Sequence, residues 1–315
     1  MSIPLLSAIH ERAVHPAHAD ATPATKLEKG ALVAAVIIPI LGTIWAIALL
    51  WNRYVGWQEL AVFGLFYALT VLGIGVGFHR MLTHRSFDAP APVRFFFLAL
   101  GSMALQGSAI EWAATHNKHH AKSDKEGDPH SPLEGFWSAH LGWLFKDRMI
   151  KSGIWAKPYV QDPVARAIDR SVGVWYAAGF VLPGLLCWAI GGSFWLGVLW
   201  GGVVRVGLVH HVTWSVNSVC HTFGRRMFHS HDESRNEWIV GLLGFGEGWH
   251  NNHHAFPKAA YHGMRWWQLD VNAYVIRLLK WTRLAKNVWM PSKEAMESRR
   301  VRKAKRDAQA AAESG

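Results

Sequence analysis

Four short stretches of this 315-residue chain are crowded with histidine: HRMLTH at 79–84, HNKHH at 116–120, NSVCH at 217–221 and HNNHH at 250–254. Most of the 19 histidines lie between residues 79 and 262. Imidazole is largely neutral near pH 7 and is a good ligand for iron, copper or zinc. The candidate metal ligands are nine histidines and one asparagine, namely His79, His84, His116, His119, His120, Asn217, His221, His250, His253 and His254.

The spacing within these clusters indicates which rings can point to one ion. In both HxxHH clusters, spacings of three and four residues place the rings within a narrow arc of a helix, at about 100° per residue. The five-residue spacing of His79 and His84 would leave their rings about 140° apart on a regular helix. Either the helix is irregular there, or the two rings flank a metal ion from its last turn. The spacing alone leaves both possibilities open.

Nine imidazoles are too many for a single ion, and four or five nitrogens for each ion would fit two. A zinc site needs only three or four ligands, so two redox-active irons that react with dioxygen are the more economical interpretation. Cys187 and Cys220 are the only two cysteines, which excludes a cysteine-type zinc site. The alternative is that these histidines cap helices or bind core carbonyls, but two HxxHH clusters and an HxxxxH argue against it.

The composition predicts a membrane protein, with 50% hydrophobic residues, 18 tryptophans and only 17% charged residues. A membrane-spanning helix needs about 20 apolar residues. The run at 95–110 is too short to cross, and a fifth crossing would put the histidines on opposite sides of the bilayer. The predicted fold is therefore an all-α integral membrane protein whose cytosolic helical cap holds the metal site. The predicted spans are 30–52, 58–78, 172–190 and 193–214.

The basic residues predict the orientation of these spans. The formal net charge is +11, and the basic residues collect in the large loop after the second span and in the C-terminal region, so these segments and both termini should be cytosolic. This distribution fits a membrane face better than a nucleic-acid partner. We expect a flexible leader at 1–29, one membrane domain at 30–290 and a basic tail at 291–315.

The motifs resemble those of the integral-membrane fatty-acid desaturases, most closely the stearoyl-CoA (acyl-CoA delta-9) desaturase group. The likeness runs from about residue 30 to 270. It rests on GFHRMLTHRSF, EWAATHNKHH, DPHSP followed by SAHLGW, TWSVNSVCHTFG and GEGWHNNHHAFP, in that order. Membrane hydroxylases and alkane monooxygenases share the three histidine boxes, so NSVCH and SAHLGW narrow the choice.

The resemblance implies a di-iron centre held by the nine histidines, with Asn217 acting on one iron through water. It also places Gln106, Trp112 and Thr213 along a bent acyl tunnel. Tyr67 and Val71 match the positions that close the far end of that tunnel. The implied reaction uses dioxygen and two electrons to introduce a cis double bond, at delta-9, into a saturated acyl chain carried by coenzyme A during unsaturated fatty acid biosynthesis.

Several neighbouring residues have expected supporting roles. Glu111 and Glu247 are candidate acceptors for the second nitrogen of ligand rings. Arg205 lies inside the fourth span, where charge is costly, and should face the protein interior or reach the membrane surface. The remaining expectations are a turn shaped by Asp128 and His130, and surface or supporting positions for His140, His229, His231 and His262.

The electrons must come from a separate protein. The sequence contains no haem-binding HPGG segment, no glycine-rich dinucleotide fingerprint and no cysteine cluster for iron and sulfur, so we expect neither haem nor flavin in this chain. A ferredoxin, a rubredoxin or a cytochrome with its reductase is the expected donor, and a bacterial inner membrane is the expected location. The alternatives are a di-iron fatty acyl or alkane hydroxylase, a histidine-rich membrane metal transporter and a haem-carrying membrane cytochrome.

Overall fold

The computed structural model describes residues 20–51, 55–146 and 149–301, which are mostly helical. One small sheet pairs β1 (Ala21–Thr22) antiparallel with β2 (Met149–Ile150). Short 3₁₀ turns cover Pro132–Glu134 and Gly142–Phe145, and two π-helical segments cover Gly73–Thr83 and Val198–Val204. The α-helices are α1 (Lys26–Trp51), α2 (Trp57–Leu72), α3 (Ala91–Ser102), α4 (Ala109–Lys122), α5 (Phe136–His140), α6 (Ser152–Trp155), α7 (Lys157–Val160), α8 (Pro163–Arg170), α9 (Val172–Ala189), α10 (Phe194–Gly197), α11 (Arg205–Thr222), α12 (Trp238–Leu243), α13 (His250–Ala255), α14 (Val271–Trp281) and α15 (Lys293–Ser298).

Four helical stretches of the described chain are long and apolar enough to cross a membrane, which confirms the predicted fold class. The second and fourth run beyond the predicted ends at residues 78 and 214, because each helix continues through polar residues into the cap. By the cap we mean the described residues of 109–170 and 223–301. The apolar run at 95–110 does not form one long helix: α3 ends at Ser102 after 12 residues, too few to cross, and α4 begins at Ala109. The four candidate spans are Lys26–Leu49, Trp57–Thr83, Val172–Ala189 and Phe194–Thr222.

Close backbone contact fixes the position of α3 beside the second span. A β-carbon added at Gly73 would lie 2.2 Å from the backbone nitrogen of Gly101, and one at Gly77 would lie 2.8 Å from the carbonyl oxygen of Phe97. Larger residues would push the two helices apart. The glycines of the GIGVG stretch at 73–77 therefore allow α3 to pack against the first π-helical segment.

Arg205 lies in the protein interior and binds the end of α3, helix α9 and its own span. Its guanidinium is fully buried and donates to the carbonyl oxygens of Met103 at 2.6 Å, Gly179 at 2.6 Å and Gly201 at 3.0 Å. Of the two positions expected for Arg205, the protein interior and the membrane surface, the structure shows the interior one. Because a charge in this place is costly without partners, the three carbonyls explain why an arginine is stable inside the fourth span.

The ends of the described chain dock against the cap. Asp20 accepts hydrogen bonds from Lys118, at 2.6 Å, and from the indole of Trp155, so residues 20–25 of the expected leader are held in place. At the other end, the backbone N–H of His229 donates to the carbonyl of Arg299 at 2.7 Å. The tail expected from residue 291 thus begins inside the folded cap. Residues 1–19 and 302–315 lie outside the described residues.

The contacts of Arg205 predict its effect on stability. Arg205→Met should leave the buried carbonyls of Met103 and Gly179 without donors, at a cost of about 1–3 kcal/mol for each unsatisfied group. Thermal unfolding of the detergent-solubilised protein should show a clearly lower midpoint. Arg170→Met, at an exposed arginine that ends α8, is the matched control and should change the midpoint little. Equal midpoints for the two variants would contradict this assignment.

Candidate metal centre

Four helix segments carry the nine candidate histidines to one end of the spans. The end of the second span carries His79 and His84, and the end of the fourth carries His221. The other six rings project from α4 and α13, which are cap helices. Because both long spans extend past the apolar zone, their last turns reach the two cap helices.

The first π-helical segment explains the five-residue spacing of the first pair. The backbone N–H of His84 donates to the carbonyl of His79 at 3.0 Å, which is the i→i+5 bond of a π-helix. This bond brings residues five apart to the same side, and the two ring centroids lie 4.9 Å apart. Of the two possibilities left open by the sequence, the structure has the irregular helix.

The nine rings fall into two groups that share no member, and each group could hold a metal ion. Within each group, one ligand atom from every residue lies within 4.8 Å of all the others. We call them the five-histidine group and the four-histidine group. The first consists of His79, His84, His116, His120 and His253, and the second of His119, His221, His250 and His254.

Each HxxHH helix contributes to both groups. In α4, the pair His116 and His120 joins the five-histidine group and His119 joins the other. In α13 the assignment is reversed, because His253 alone joins the five-histidine group. Residues four apart on a helix lie on one face, and the residue between them is rotated away. The two helices therefore lie between the two groups and connect them.

Asn217 lies one helical turn before His221 on α11. It borders a small cavity together with His250 of the four-histidine group and with His79 and His116 of the five-histidine group. This position beside both groups is compatible with the expected contact through water.

Glu247 orients a ring of the five-histidine group. Its carboxylate accepts a hydrogen bond from Nδ1 of His79, and its other oxygen is 3.0 Å from the guanidinium of Arg80 and 2.9 Å from the amide of Asn272. Burial by itself would raise the pKa of the Glu247 carboxyl, but His79 and Arg80 hold it below the usual value. A ring that donates Nδ1–H to a carboxylate turns the lone pair of Nε2 to the metal side.

Three aspartates orient rings of the four-histidine group. No pattern in the sequence predicted that any of them would bind a ring. Nδ1 of His119 lies 3.0 Å from Asp128, and Nδ1 of His221 lies 3.0 Å from Asp124. Asp232 binds Nδ1 of His254 in the same way. The available signal was an acidic residue shortly after a histidine, as in HAKSD and SHD, but neither acid binds the histidine that it follows in the sequence. The three pairs are His119 with Asp128, His221 with Asp124, and His254 with Asp232.

The donor set fits metal ions. Burial, reinforced by the neighbouring rings, lowers the pKa of His116, His120 and His250 well below the usual value of imidazole, so these rings are neutral and able to bind a metal ion. Nε2 of His119 and Nε2 of His254 are buried and have no hydrogen-bond partner among the described residues. Inward-facing lone pairs without donors are what a bound cation would satisfy.

The expected tunnel residues lie beside the metal groups and bind one another. The indole N–H of Trp112 donates to the side-chain carbonyl of Gln106 at 3.2 Å, and the Gln106 amide donates to Thr213 at 2.8 Å. The Trp112 ring also stacks on the His116 ring, with centroids 5.0 Å apart. This hydrogen-bonded chain borders a cavity of about 690 Å³.

A smaller cavity of about 50 Å³ extends from these hydrogen-bonded side chains to the two histidine groups. Trp112 and Thr213 line both cavities, and Val71 lines the smaller one. Val71 packs in a small apolar cluster to which the Tyr67 ring is adjacent. The Tyr67 hydroxyl donates to the carbonyl of Leu243 at 2.7 Å. Tyr67 and Val71, expected at the far end of the tunnel, therefore lie at or beside the smaller cavity.

Glu111 and His262, which were expected near the histidine clusters in supporting roles, lie in different surroundings. The structure does not place Glu111 against a histidine ring: its side chain accepts from the backbone N–H of Ser108 at 3.1 Å and completes the capping box that begins α4. In the structure Glu111 has a helix-end role, because the local cap uses its carboxylate. His262 is fully buried, with its ring centroid 4.5 Å from that of His253. No helical spacing in the sequence connected it to the clusters.

The family assignment comes from comparison with known proteins. Residues 55–279 match the model of the fatty acid desaturase family, and the chain belongs to that family of membrane oxidoreductases, as its motifs predicted. It is 41% identical over 241 residues to the sn-1 stearoyl-lipid 9-desaturase of Anabaena variabilis, covering 76% of this chain and 86% of the relative.

Two further relatives are about as similar. The chloroplastic palmitoyl-monogalactosyldiacylglycerol delta-7 desaturase of Arabidopsis thaliana is 41% identical over 244 residues, 77% of this chain and 65% of the relative, so the chain spans slightly less than two thirds of that protein. The acyl-CoA C20 Delta5-desaturase of Anemone leveillei is 40% identical over 237 residues, 75% of each chain. These names differ in acyl carrier and in double-bond position at nearly equal identity.

The two groups predict the metal content of the protein. The wild-type chain, purified and loaded with ferrous iron without oxygen, should bind two ions, counted by inductively coupled plasma mass spectrometry. His84→Ala and His250→Ala each remove a ligand from a different group and should each leave about one ion. His229→Ala, at an exposed histidine, should keep both. Loss of both ions or of neither in the two ligand variants would disprove the division into two groups.

Proposed function

We propose that this protein is an oxygen-dependent di-iron desaturase that introduces a cis double bond, at delta-9, into a saturated fatty acyl chain. The observation that carries the proposal is the convergence of nine buried or half-buried imidazoles into two groups next to two partly apolar cavities. Membership of the desaturase family supports the reaction type. The proposed ligands are the nine histidines, with Asn217 beside them.

Iron is favoured by the chemistry of the donors. Imidazole nitrogen suits iron, copper, nickel and zinc, but the five donors of the larger group exceed the three or four that a zinc site uses. When bound, two irons would supply the activation of dioxygen with two electrons that removal of hydrogen from an unactivated methylene requires. No side chain could remove such a hydrogen as a proton.

The residues of the chain would then position the substrate. An acyl chain entering from the larger cavity would have to pass the hydrogen-bonded residues Trp112, Gln106 and Thr213 before reaching the smaller one. Such a constriction favours one register of the acyl chain against the metals, which is the part of catalysis that proximity supplies. The apolar side chains of Val71 and Ile74 would keep water from the inner end.

For the acyl carrier we propose coenzyme A, as the resemblance implies. The named acyl-CoA relative and the excess of basic residues, which would attract the phosphates of coenzyme A, support this choice. A membrane glycerolipid is the second candidate. Leu32, Ala35 and Val36 of the first span line the larger cavity, so one of its walls belongs to a lipid-facing helix.

The remaining parts of the proposal concern the surroundings of the enzyme. We propose a multi-pass protein of a bacterial inner membrane, with the histidine-bearing cap and both termini in the cytosol. The basic residues of the segments between and after the spans support this orientation. A separate ferredoxin, rubredoxin or cytochrome system would deliver the electrons to the cap.

The direct test is the fatty acid profile of a bacterial host that expresses the chain. Gas chromatography with mass spectrometry should detect new monounsaturated chains, whose double bond is located after derivatisation. His120→Ala should abolish them and His229→Ala should not. Separating the lipid and thioester fractions before analysis, after a short pulse of labelled stearate, identifies the carrier. Hydroxylated chains in place of alkenes would reject the desaturase in favour of a hydroxylase on the same metals.

The inner end of the cavity predicts a change in chain-length preference. Val71→Ala removes two methyl carbons from the wall of the smaller cavity. The ratio of longer to shorter products should rise by about tenfold, because one methylene in an apolar pocket typically changes substrate preference by at least that factor. The measurement is the product ratio from paired substrates. Val62→Ala, at a buried valine of the same span that lines neither cavity, is the control. A similar shift in both variants would refute a role for Val71 in chain length.

A further inference from the structure

We propose that the two groups hold their metal ions with unequal strength, and that Asp124, Asp128 and Asp232 make the four-histidine group the tighter of the two. The three aspartates act as positioning residues through the rings that they bind. The inference rests on the proposed function, because it requires that both groups bind metal. It adds an order of loading and release to the two sites.

The first observation is the number of ligand rings that a carboxylate fixes in each group. Three of the four rings in the four-histidine group have Nδ1 within 3.1 Å of an aspartate oxygen. Only one of the five rings in the other group, His79, has such a partner among the described residues. A ring held at Nδ1 is fixed in tautomer and direction before the metal arrives, and the fixed ring is also more basic.

The three aspartates are themselves held by neutral donors. Asp124 accepts from the backbone N–H of Glu233 at 2.7 Å, and Asp128 accepts from the backbone N–H of Asp124 at 3.0 Å. Asp232 accepts from the hydroxyl of Ser230 at 2.9 Å and from the backbone N–H of Ser234 at 3.1 Å. These contacts fix the carboxylates in place without neutralising their charge.

The three carboxylates place negative charge around the four-histidine group. The side chains of Asp124, Asp128 and Asp232 are no more than 7% exposed. A cation bound among these rings would therefore lie close to three negative charges in a poorly solvated place.

The five-histidine group has a different electrostatic environment. Its one carboxylate partner, Glu247, is 3.0 Å from the buried guanidinium of Arg80, so a positive charge beside it offsets part of its field. The other terminal nitrogen of Arg80 lies 3.0 Å from Asp270. Around the other rings of this group, the nearest polar contacts are with each other, as for Nε2 of His84 and of His116 at 2.9 Å.

The number of ligands acts in the opposite direction, because five nitrogens bind an ion more strongly than four when all else is equal. The loss of one outer partner typically costs about 10–100-fold in metal affinity. Three such partners against one partly offset partner therefore outweigh a single additional imidazole. We expect the ion of the four-histidine group to load first and to leave last.

The experiment measures release and does not depend on turnover. The full-length protein in detergent is loaded with ferrous iron without oxygen and dialysed against rising EDTA concentrations, and the iron that remains is counted by mass spectrometry. The wild-type protein should lose one ion first and the second at a concentration at least about tenfold higher. His84→Ala should lack the first step, and His250→Ala should lack the second, which assigns each step to a group.

Aspartate variants then test the cause. Asp128→Asn and Asp232→Asn should each move only the second step, by about 10–100-fold toward lower EDTA, and Asp232→Glu should restore part of that shift. Glu247→Gln should move only the first step. Asp162→Asn is the matched control: Asp162 is a half-buried aspartate that caps α8 and binds Arg94, so its loss should lower the unfolding temperature and leave both steps in place.

Each outcome has a distinct meaning. Release of both ions in a single step, or aspartate variants that shift both steps equally, would overturn the inference while leaving two bound metals intact. A tight step that disappears in His84→Ala would reverse the assignment and overturn it as well. A wild-type protein that never holds two ions would instead reject the proposed di-iron function.

Discussion

The structure depends on how nine imidazoles can be packed together at one end of the spans. Each neutral ring has one donor and one acceptor nitrogen, and a buried polar group without a partner costs about 1–3 kcal/mol. Rings that face one another inside a closed cluster cannot all be satisfied by one another. Carboxylates on the outside of the cluster satisfy some of the rings, and cations on the inside would satisfy the rest. The four helix segments must therefore end at the same level, where loops can bring acidic side chains to the outer nitrogens.

The irregular helices are a consequence of this requirement. The second span must present His79 and His84 on one side, and its last turns are π-helical over Gly73–Thr83. Widening a helix by one residue per turn needs neighbours that accept the bulge, and the glycines of this segment let α3 approach within backbone contact. The fourth span contains the second π-helical segment, Val198–Val204, immediately before Arg205. Such bulges are frequent at functional sites in other proteins.

Local patterns in the sequence were sufficient for the four spans and for the histidine clusters, because apolar length and histidine spacing are properties of single helices. They could not divide the nine rings, since each HxxHH helix serves both groups and the division depends on where α4 and α13 face each other. They also could not identify Asp124 or Asp232 as partners of His221 and His254. Asp124 lies 97 positions from His221 in the chain, and only the folded cap brings that loop to the fourth span.

Glu111 is a case in which a local signal was present and pointed to another role. Ser108 and Glu111 have the spacing of a capping box, which competes with any longer-range contact of the carboxylate. His262 is the converse case, because nothing local marks it and yet the fold buries it against His253. Acidic or imidazole side chains near a metal cluster are thus assigned reliably only when their competing local bonds are considered first.

The two halves of the centre are alike in geometry and unlike in charge. Each HxxHH helix contributes a pair to one group and a single ring to the other, so a displacement of either helix affects both ions together. The carboxylates are distributed unevenly, with three aspartates on one side and one glutamate beside an arginine on the other. Both groups nevertheless border the smaller cavity, through His79 and His116 on one side and His250 on the other. A substrate in that cavity would therefore border both histidine groups, which share two helices and differ in the charge placed around them.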